Sequence, residues 1–300
     1  MKLNKLSLKD KGLFREFLGL SEHGLSAYAF ANIYIWRKLF EIRWALEKNH
    51  LCVFFSDNTG AFLYLEPLAK EKSPQVIADA FALMNRLNRN PEVSRVENVE
   101  EASLDFYRGS GLECRPKPQE YLYLRAEIAR LAGDKYKSQR AARNYFLRHN
   151  QFAYQPYSAK DGAACLRLFR AWQKQRSALG RGRVYDGMLE DSFKAFQVML
   201  KHYQDLNLVG RIAKIGRQIR AFTFGFPLSA RSFCVIYEVA DLSFKGLAQF
   251  IFQRFCAELG AYRYINAMDD SGLDNLRRVK LSYRPVKLVP AYIAREPPHA

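Results

Sequence analysis

The chain has 300 residues, of which 49% are hydrophobic and 26% charged, a composition that is typical of a folded globular protein and excludes extended disorder. Its five cysteines form no CxxC pair and its five histidines show no HExxH spacing, so we predict neither a disulfide framework nor a metal site. Since the sequence has no apolar leader and no apolar run of membrane-spanning length, we expect a soluble, cytoplasmic protein with no integral membrane segment.

The formal net charge is +17, and most of the excess lies in one region. Between Arg125 and Arg183 there are fourteen Lys and Arg residues against three acidic ones, which accounts for +11 of the total. Such a cluster predicts an anionic partner, with tRNA as a candidate, although a solvated helix face would have the same composition. The residues that we expect to contact nucleic acid are Lys135, Lys137, Arg140, Arg143, Arg148, Arg181 and Arg183.

The first half of the sequence predicts two helices, three strands and then alternating elements. In chain order these are helices at about 7–19 and 25–40, strands 41–47, 51–56 and 61–66, a helix from Ser73 or Pro74 to about Leu87, a strand 94–99, a helix 102–111 and a strand 120–125. The sequence DNTG at 57–60 is a strong hairpin signal, and Pro74 suits the first turn of a helix.

The second half repeats this order of elements. In chain order these are helices at about 160–177 and 187–203, strands 208–215, 219–226 and 233–239, a helix from Gly246, a strand 262–267, a helix 271–280 and a final strand near 282–292. A basic amphipathic helix joins the two halves. We therefore predict an α+β fold of two tandem domains, each a mixed sheet flanked by helices, with domains at 1–124 and 151–300 and the connecting helix at 125–150.

A candidate anion site follows the strand 233–239. The strand leads through SFKGLA into a helix, and the free N–H groups and the dipole of a helix N-terminus attract anions. We predict that phosphate groups of a donor substrate bind there. The residues concerned are Ser243, Lys245, Gly246, Leu247 and Ala248.

This loop and the order of elements resemble the GNAT acyltransferase fold. In that family the pyrophosphate of acyl-CoA sits on a loop of pattern Q/R-x-x-G-x-G/A. Gly246 and Ala248 match the last two defined positions, whereas Ser243 stands where Gln or Arg is usual. The corresponding loop of the first half, EPLAKEKSPQV, has no such glycine. The resemblance therefore implies a donor site in the second half.

Longer strings resemble a narrower family. EYLYL, LAGDKYKSQRAARNYF, YEVADLSFKGLAQFIFQRF and YINAMDDSGLDNLRRVKLSYRP are similar to uncharacterised soluble proteins of the phosphatidylglycerol lysyltransferase C-terminal-domain family, over about residues 21–292. The resemblance implies a tandem GNAT architecture related to enzymes that take an aminoacyl group from aminoacyl-tRNA. The chain departs from the family pattern at Val239, where Lys is usual, and at Ala267 and Met268, where Arg and Glu are usual.

Five residues are candidates for catalysis, because acyl transfer needs a base and a proton donor or oxyanion stabiliser. Glu238 ends an apolar strand, where a carboxylate can deprotonate or hold an acceptor; pairing with an Arg is the alternative. Asn266 can donate to a carbonyl or start a turn. Asp269 and Asp270 can bind an amine or cap a helix. Tyr283 is a candidate general acid or a core residue.

Arg277 and Lys280 share one helix face and predict phosphate binding, with a solvated helix end as the alternative. We therefore predict an acyl- or aminoacyltransferase with acyl-CoA or aminoacyl-tRNA as donor and no tightly bound cofactor. The expected acceptor is a small molecule or peptide with a reactive amine or hydroxyl. Two alternatives stay open: a catalytically degenerate GNAT-like scaffold or ligand sensor, and a non-catalytic RNA-binding protein.

Overall fold

Within the described residues, each of two units contains a seven-stranded mixed sheet with helices packed against it. The computed structural model describes residues 1–178, 180 and 182–297. One unit comprises residues 1–120 and those from Val289 onward, and the other comprises Tyr121–Leu288. The predicted α+β class is confirmed.

The first unit begins with short helices and a strand meander. Its elements are β1 (Asn4–Lys5), α1 (Lys11–Leu18), α2 (Phe30–Ile35), β2 (Glu41–Glu47), β3 (His50–Ser56), β4 (Ala61–Leu63), α3 (Pro74–Leu87), β5 (Val96–Glu100), α4 (Leu104–Gly109) and β6 (Glu113–Pro116). Short 3-10 helices adjoin them at Leu8–Asp10, Trp36–Lys38, Pro91–Val93 and Glu101–Ser103. The second helix is shorter than predicted, because the chain enters it only at Phe30.

The second unit repeats that order. Its elements are β7 (Glu120–Leu124), α5 (Arg125–Arg130), α6 (Lys137–His149), β8 (Ala153–Pro156), α7 (Gly162–Ser177), α8 (Arg183–Lys201), β9 (Val209–Ile215), β10 (Gln218–Pro227), β11 (Ser232–Ala240), α9 (Leu247–Glu258), β12 (Tyr264–Asn266), α10 (Asp274–Ser282) and β13 (Lys287–Val289). Its 3-10 helices are Asp134–Tyr136 and Ala159–Asp161. The chain then returns to the first sheet as β14 (Ala291–Arg295).

The structure confirms the helix start that we predicted at Pro74 and the hairpin turn that we predicted at 57–60. Pro74 occupies the first turn of α3, and the Ser73 hydroxyl accepts a hydrogen bond from the Val76 N–H at 3.4 Å. In the hairpin turn between β3 and β4, Asp57 Oδ1 accepts a hydrogen bond from the Thr59 N–H at 2.8 Å. Turn and cap chemistry is local, and it therefore follows directly from short sequence patterns.

The two sheets share one topology. The first has the strand order β1-β2-β3-β4-β5-β14-β6, and the second, written in the corresponding direction, has β8-β9-β10-β11-β12-β7-β13. In each, the first four strands are antiparallel neighbours and the fourth and fifth are parallel. The predicted repetition of element order is thereby confirmed at the level of strand pairing.

The sixth strand of each sheet comes from the other half of the chain. β7 follows the first-half elements but pairs with β12, and β14 ends the described chain but pairs with β5 and β6. The structure therefore differs from the expected division into 1–124 and 151–300. The strand predicted at 120–125 joins the second sheet and the final strand joins the first, because strand pairing is a long-range property that local patterns do not encode.

The basic segment expected as a single connecting helix is interrupted and lies within the second unit. After α5, Leu131 and Gly133 adopt positive φ angles of 49° and 79°, and α6 begins at Lys137. An Nη1 donor of Arg140 reaches the carbonyl oxygens of Leu131 and Gly133 at 2.5 and 2.8 Å. Arg140 of α6 therefore holds the segment that follows α5 and supplies a donor to the carbonyl of Leu131, the C-cap residue of α5.

Helices cover both faces of the second sheet. On one face, the rings of Phe222 and Tyr237 pack against Phe196 of α8, with centroid distances of 4.8 and 5.0 Å. On the other face, Ala221 and Ala240 are buried against α9. Because successive residues of a strand point to opposite faces, this alternation determines which side chains of β10 and β11 lie beneath α9.

Candidate functional site

Glu238 follows an irregularity in β11. The pairing of β10 with β11 shifts register between Phe224 and Gly225, which leaves Ile236 as an extra residue in β11, a β-bulge. After the bulge, Tyr237 faces α8, and Glu238 faces the α9 side of the sheet. Bulges redirect side chains in this way next to functional sites.

The Glu238 carboxyl group has an unusual environment. Its side chain as a whole is half-buried, but Oε2 is buried and has no hydrogen-bond partner among the described residues. Burial raises the pKa of this carboxyl group to about 8, and the nearby Lys280 ammonium opposes the shift only in part. The group therefore holds a proton at neutral pH and can exchange it near the physiological range, as a general base or acid must.

Glu66 has a comparable place in the first unit, since it follows β4, the strand that is equivalent to β11 in the repeated topology. Glu66 is also buried, yet it is fully engaged: it accepts hydrogen bonds from the Tyr28 hydroxyl at 3.2 Å and the Glu100 N–H at 2.8 Å. It also pairs with the Lys72 ammonium. Of these two carboxyl groups, only that of Glu238 has a buried oxygen without a partner among the described residues.

Tyr283 and Cys256 lie close enough to Glu238 for their charges to interact. Tyr283 is buried, and its ring contacts Phe252 and Tyr123 edge-on at centroid distances of 5.0 and 6.3 Å. Burial, followed by the charge of Glu238, raises the pKa of the Tyr283 hydroxyl and that of the Cys256 thiol. Both groups are therefore protonated at neutral pH, which argues against a thiolate nucleophile at Cys256. The role of Tyr283 as a proton donor stays a prediction.

Helix α10 borders this centre, and polar contacts hold its C-terminal end. Every residue of α10 is at least partly exposed. The Tyr123 hydroxyl donates to the Lys280 carbonyl oxygen at 2.9 Å, and the Tyr136 hydroxyl donates to that of Tyr283 at 3.2 Å. The Lys280 ammonium donates in turn to the carbonyl oxygen of Met268 at 3.2 Å and to that of the preceding residue. Lys280 thus links α10 to the turn after β12, while Arg277 is exposed.

Asn266 and Asp269 form side-chain hydrogen bonds within that turn. Asn266 is buried and its Oδ1 accepts a hydrogen bond from the Met268 N–H at 2.7 Å. Asp269 Oδ1 accepts one from the Ser271 N–H at 2.7 Å. These are the turn-forming contacts that the sequence offered as alternatives to catalysis.

Asp270 joins the turn to β7. It is buried, and its Oδ2 accepts a hydrogen bond from the Tyr121 hydroxyl at 2.6 Å while Oδ1 accepts one from the Gly272 N–H at 3.0 Å. Burial and the hydrogen bond to Asp270 raise the pKa of Tyr121 to about 12. Sequence patterns did not indicate Tyr121, since nothing local connects the two residues.

The loop predicted to bind donor phosphates is ordered by its own side chains. The N–H and hydroxyl of Ser243 donate to Asp241 Oδ1 at 3.0 and 2.7 Å, and Arg220 donates to the other oxygen of Asp241 at 2.8 Å. Lys245 is exposed, and its ammonium lies 4.8 Å from the centre of the Tyr145 ring on α6. The loop therefore presents a cation beside the start of α9.

Gly246 is the N-cap of α9 and has a φ of 86°, a left-handed conformation. A Cβ at this position would lie 1.9 Å from the carbonyl oxygen of Ala142 in α6. Leu247 is buried and Ala248 half-buried. Close packing of α6 is thus a sufficient reason for glycine here, and phosphate binding by these residues stays a prediction.

The residues that we expected to contact nucleic acid differ in exposure and in the contacts that they form within the protein. Lys137 and Arg148 of α6 and Arg183 at the start of α8 are exposed. Arg148 also donates to the carbonyl oxygen of Asn144 at 3.3 Å. Arg181 lies outside the described residues. Lys137 and Arg148 are thus available to an anionic partner on the surface of α6.

Other basic residues of this region have structural contacts. Lys135 forms an ion pair with Glu127 at 2.6 Å, and Arg143 donates to Asn144 Oδ1 at 2.7 Å. Arg140 holds the segment that follows α5, as described above. Charge counting alone does not separate these cations from the freely exposed ones.

Thr223 is a polar residue of this region that sequence reasoning missed. It lies opposite Glu238 on β10, is fully buried, and its hydroxyl has no hydrogen-bond partner in the described part of the chain. The available signal was weak: one Thr within the apolar strand IRAFTFGF, which β-propensity alone accounts for.

In the part of the chain that the structure covers, no group of three or more His, Cys, Asp or Glu side chains could hold a metal ion. Nor does any helix among those residues combine the length and apolarity needed to cross a membrane.

The shared topology of the two sheets defines a tandem GNAT-like protein. A tandem GNAT protein from the clavulanic acid biosynthesis pathway, solved without AcCoA, has a similar fold, with a TM-score of 0.51 and 8% identity over 100% of this chain and 99% of that chain. The family model for the C-terminal part of phosphatidylglycerol lysyltransferase matches residues 19–295. The chain therefore belongs to that family, as its sequence motifs indicated.

Solved structures agree with this assignment. A conserved protein of unknown function from Bacteroides thetaiotaomicron is similar, with a TM-score of 0.86 and 23% identity over 98% of this chain and 99% of that chain. L-PGS from Bacillus licheniformis has a TM-score of 0.67 and 16% identity over 99% of this chain and 94% of that chain. No curated protein matches the sequence. At these identities the structural likenesses establish the fold.

Proposed function

We propose that the protein transfers an aminoacyl group from aminoacyl-tRNA to an acceptor at a centre built around Glu238. Acyl or aminoacyl transfer in general is supported by the family and by the tandem GNAT fold. The observation that carries the proposal is the buried Oε2 of Glu238, which has no partner among the described residues, whereas Glu66 in the first unit is saturated with hydrogen bonds. A buried polar atom without a partner in a native fold needs an explanation, and in this proposal the partner is the substrate.

In the proposed reaction, the deprotonated form of Glu238, which becomes populated as the pH approaches the pKa of about 8, accepts a proton from the nucleophile. The acceptor's nitrogen or oxygen attacks the donor carbonyl carbon and forms the new bond, while the bond from that carbon to the donor's ribose oxygen or thioester sulfur breaks. The Tyr283 hydroxyl, which burial keeps protonated, supplies a proton to the leaving atom. Lys280 positions the adjoining turn and biases Glu238 toward its charged form.

The donor is proposed on electrostatic grounds. Exposed Lys137 and Arg148 lie on α6, and α6 packs against the start of α9, where Lys245 and Gly246 form the predicted phosphate loop. Exposed cations on two packed helices of this kind suit the phosphates of a tRNA 3′ end. Arg277, exposed on α10, is a further phosphate contact in this proposal.

Acyl-CoA is the second candidate donor, and the observation that favours it is the loop itself. Gly246 and Ala248 keep the last two defined positions of the acyl-CoA pyrophosphate pattern, and the loop opens a helix of twelve residues. Ser243 directs its hydroxyl to Asp241. The two donors therefore differ in the part of the molecule they require: the loop alone for acyl-CoA, and the loop together with the α6 surface for tRNA.

The experiment that tests the proposal has two stages. First, the purified protein is titrated with labelled bulk tRNA and, separately, with acetyl-CoA at several salt concentrations. Second, bulk tRNA charged with labelled amino acids is incubated with the protein and a mixture of small amines and alcohols, and products are separated from free amino acid. The Glu238→Gln variant is the matched control, since it keeps the shape of the side chain.

We expect tRNA binding that weakens steeply with salt, transfer by the native protein, and binding without transfer by Glu238→Gln. If acetyl-CoA binds and tRNA does not, the donor is acyl-CoA and the proposed reaction is still an acyl transfer. If neither donor binds, the transferase proposal fails in favour of a scaffold or sensor. If tRNA binds but no product forms under any condition, the chain is an RNA-binding protein.

A further inference from the structure

Thr223 places a polar atom in the buried part of the second sheet. It lies in the middle of β10, is 0% exposed, and its Oγ1 makes no hydrogen bond within the described residues. Valine has the same shape and would remove the unpartnered hydroxyl, so threonine at this position sacrifices stability unless the hydroxyl meets a ligand.

The position of Thr223 connects it to the proposed centre. Thr223 and Glu238 are direct partners in the antiparallel ladder of β10 and β11. Direct partners point to the same face, with Cβ atoms about 5 Å apart. The next residues of the two strands on that face are Ala221 and Ala240, both buried against α9. The pair is therefore bordered along the strands by small apolar side chains. Across the sheet, Thr223 lies opposite Arg211 of β9, whose guanidinium pairs with Glu258 of α9 at 2.7 Å.

Two unpartnered buried oxygens thus occur side by side. Thr223 Oγ1 and Glu238 Oε2 each lack a partner among the residues described, and no hydrogen bond joins them to each other. One polar atom between them could bond to both. Both oxygens are buried, whereas the Glu238 side chain as a whole is half-buried, so the pair lies beneath a side chain that reaches the solvent in part.

We infer that Thr223 Oγ1 and Glu238 Oε2 form a two-point socket that selects a primary amine as the acceptor nucleophile. This inference rests on the proposed function, and it narrows the acceptor group from an amine or a hydroxyl to an amine. A neutral primary amine has two N–H donors, so it can donate to both oxygens and keep its lone pair for attack. A hydroxyl has one donor, so its second contact would use an oxygen lone pair and lower its reactivity.

The reaction balances as an aminolysis of an ester. The amine lone pair forms a C–N bond to the donor carbonyl carbon, and one amine proton passes to the Glu238 carboxylate. The bond between that carbon and the ribose oxygen of the tRNA breaks, and this oxygen takes up a proton from the protein. The products are an amide and free tRNA. Thr223 keeps its proton and acts by holding the nitrogen.

A test by amine binding needs no donor. The protein is labelled with ¹³C at glutamate carboxyl groups, the Glu238 signal is assigned by its loss in Glu238→Gln, and 2,2,2-trifluoroethylamine, a primary amine that is uncharged at pH 8, is titrated in at that pH. 2,2,2-Trifluoroethanol, which has the same carbon chain, is the control ligand. The variants are Thr223→Val, which lacks the hydroxyl, and Thr223→Ser, which retains it.

We expect 2,2,2-trifluoroethylamine to shift the Glu238 signal saturably and 2,2,2-trifluoroethanol to have no such effect. The affinity for the amine falls at least about tenfold in Thr223→Val and stays within about threefold in Thr223→Ser, in line with the loss of one hydrogen bond to a ligand. If the native protein and Thr223→Val bind the amine equally well, or if the alcohol binds as well as the amine, the inference is wrong.

Thermal unfolding of the free variants provides a second readout. If the Thr223 hydroxyl is kept for a ligand, Thr223→Val melts a few degrees higher than the native protein. A lower melting temperature would assign the hydroxyl a structural partner, such as an ordered water, and overturn the inference. Failure of the transferase proposal gives a different pattern: amine binding at Glu238 with no product from any charged donor.

Discussion

The carbonyl oxygen of Ala142 lies so close to Gly246 that a Cβ on the glycine would be 1.9 Å from it. This contact joins α6, which presents exposed cations, to the N-terminus of α9, where the donor loop is proposed. The two elements of the proposed donor site are thus held together by backbone packing, and the glycine is needed for that packing whether or not a phosphate binds.

Replacing Gly246 with Ala is expected to destabilise the protein by at least about 2 kcal/mol. The φ of 86° disfavours any residue with a Cβ, and the clash is with a backbone atom that only a shift of α6 can relieve. Urea denaturation gives the free energy of unfolding. Gly260→Ala is the control, since a Cβ there meets nothing within 4 Å. If Gly246→Ala is as stable as this control variant, the close approach of α6 does not require glycine.

Glu238 makes stability depend on pH. Its pKa is about 8 in the folded protein and near 4.5 in an unfolded chain, so between these values the folded state keeps a proton that the unfolded state has released. Stability therefore falls as pH rises, by up to about 1.4 kcal/mol per pH unit, and levels off above about pH 8. Glu238→Gln removes this slope, so we expect it to match the native protein at pH 5 and to exceed its stability by a few kcal/mol at pH 8.5.

Urea denaturation of both proteins across pH 5 to 9 checks this expectation. The matched control is Glu66→Gln, which breaks a set of satisfied hydrogen bonds and an ion pair with Lys72 and should lose about 1–3 kcal/mol at neutral pH. If stability depends on pH in the same way in Glu238→Gln and in the native protein, the pKa of the Glu238 carboxyl group is not raised.

Tyr121→Phe tests the link between β7 and the acidic turn. The change removes the hydroxyl that donates to Asp270 at 2.6 Å and leaves a buried carboxylate oxygen short of a partner, so we expect a loss of about 1–3 kcal/mol in the free energy of unfolding. Tyr262→Phe is the control, because Tyr262 lies on the same unit and is half-buried, with no hydrogen bond from its hydroxyl in the described residues. Equal unfolding free energies of the two variants would show that the turn does not depend on Tyr121.

The double variant Lys137→Glu with Arg148→Glu tests the proposed tRNA surface. Two fewer phosphate contacts should reduce the slope of log affinity against log salt by about 1.5–2 and weaken binding of bulk tRNA by tenfold or more at low salt. Binding is measured by fluorescence anisotropy. The control is the double variant Arg86→Glu with Arg89→Glu, which reverses the charge of two exposed cations of the first unit. We expect it to lower the affinity for bulk tRNA less. Equal losses in the two double variants would mean that net charge, not the α6 surface, governs binding.

Among the site residues, Glu238 could be predicted from the sequence and Thr223 could not. Glu238 is recognisable because a carboxylate at the end of an apolar strand is out of pattern. Thr223 is not, because a threonine in a strand is common and its partner is fifteen residues away along the chain, across a hairpin whose bulge sets the register. Likewise, the sequence pointed to Gly246 but not to the helix that packs on it.

The sequence by itself determined the order of helices and strands, the hairpin and cap positions, the α+β class and the family, because these depend on local periodicity, turn chemistry and extended motifs. Tertiary structure alone decided which sheet β7 and β14 join, which of the basic residues are exposed, and that Glu238 retains an unpartnered oxygen whereas Glu66 does not. The physical reason is that strand pairing, burial and hydrogen-bond saturation depend on contacts between residues far apart in the chain, and no short window of sequence contains both partners.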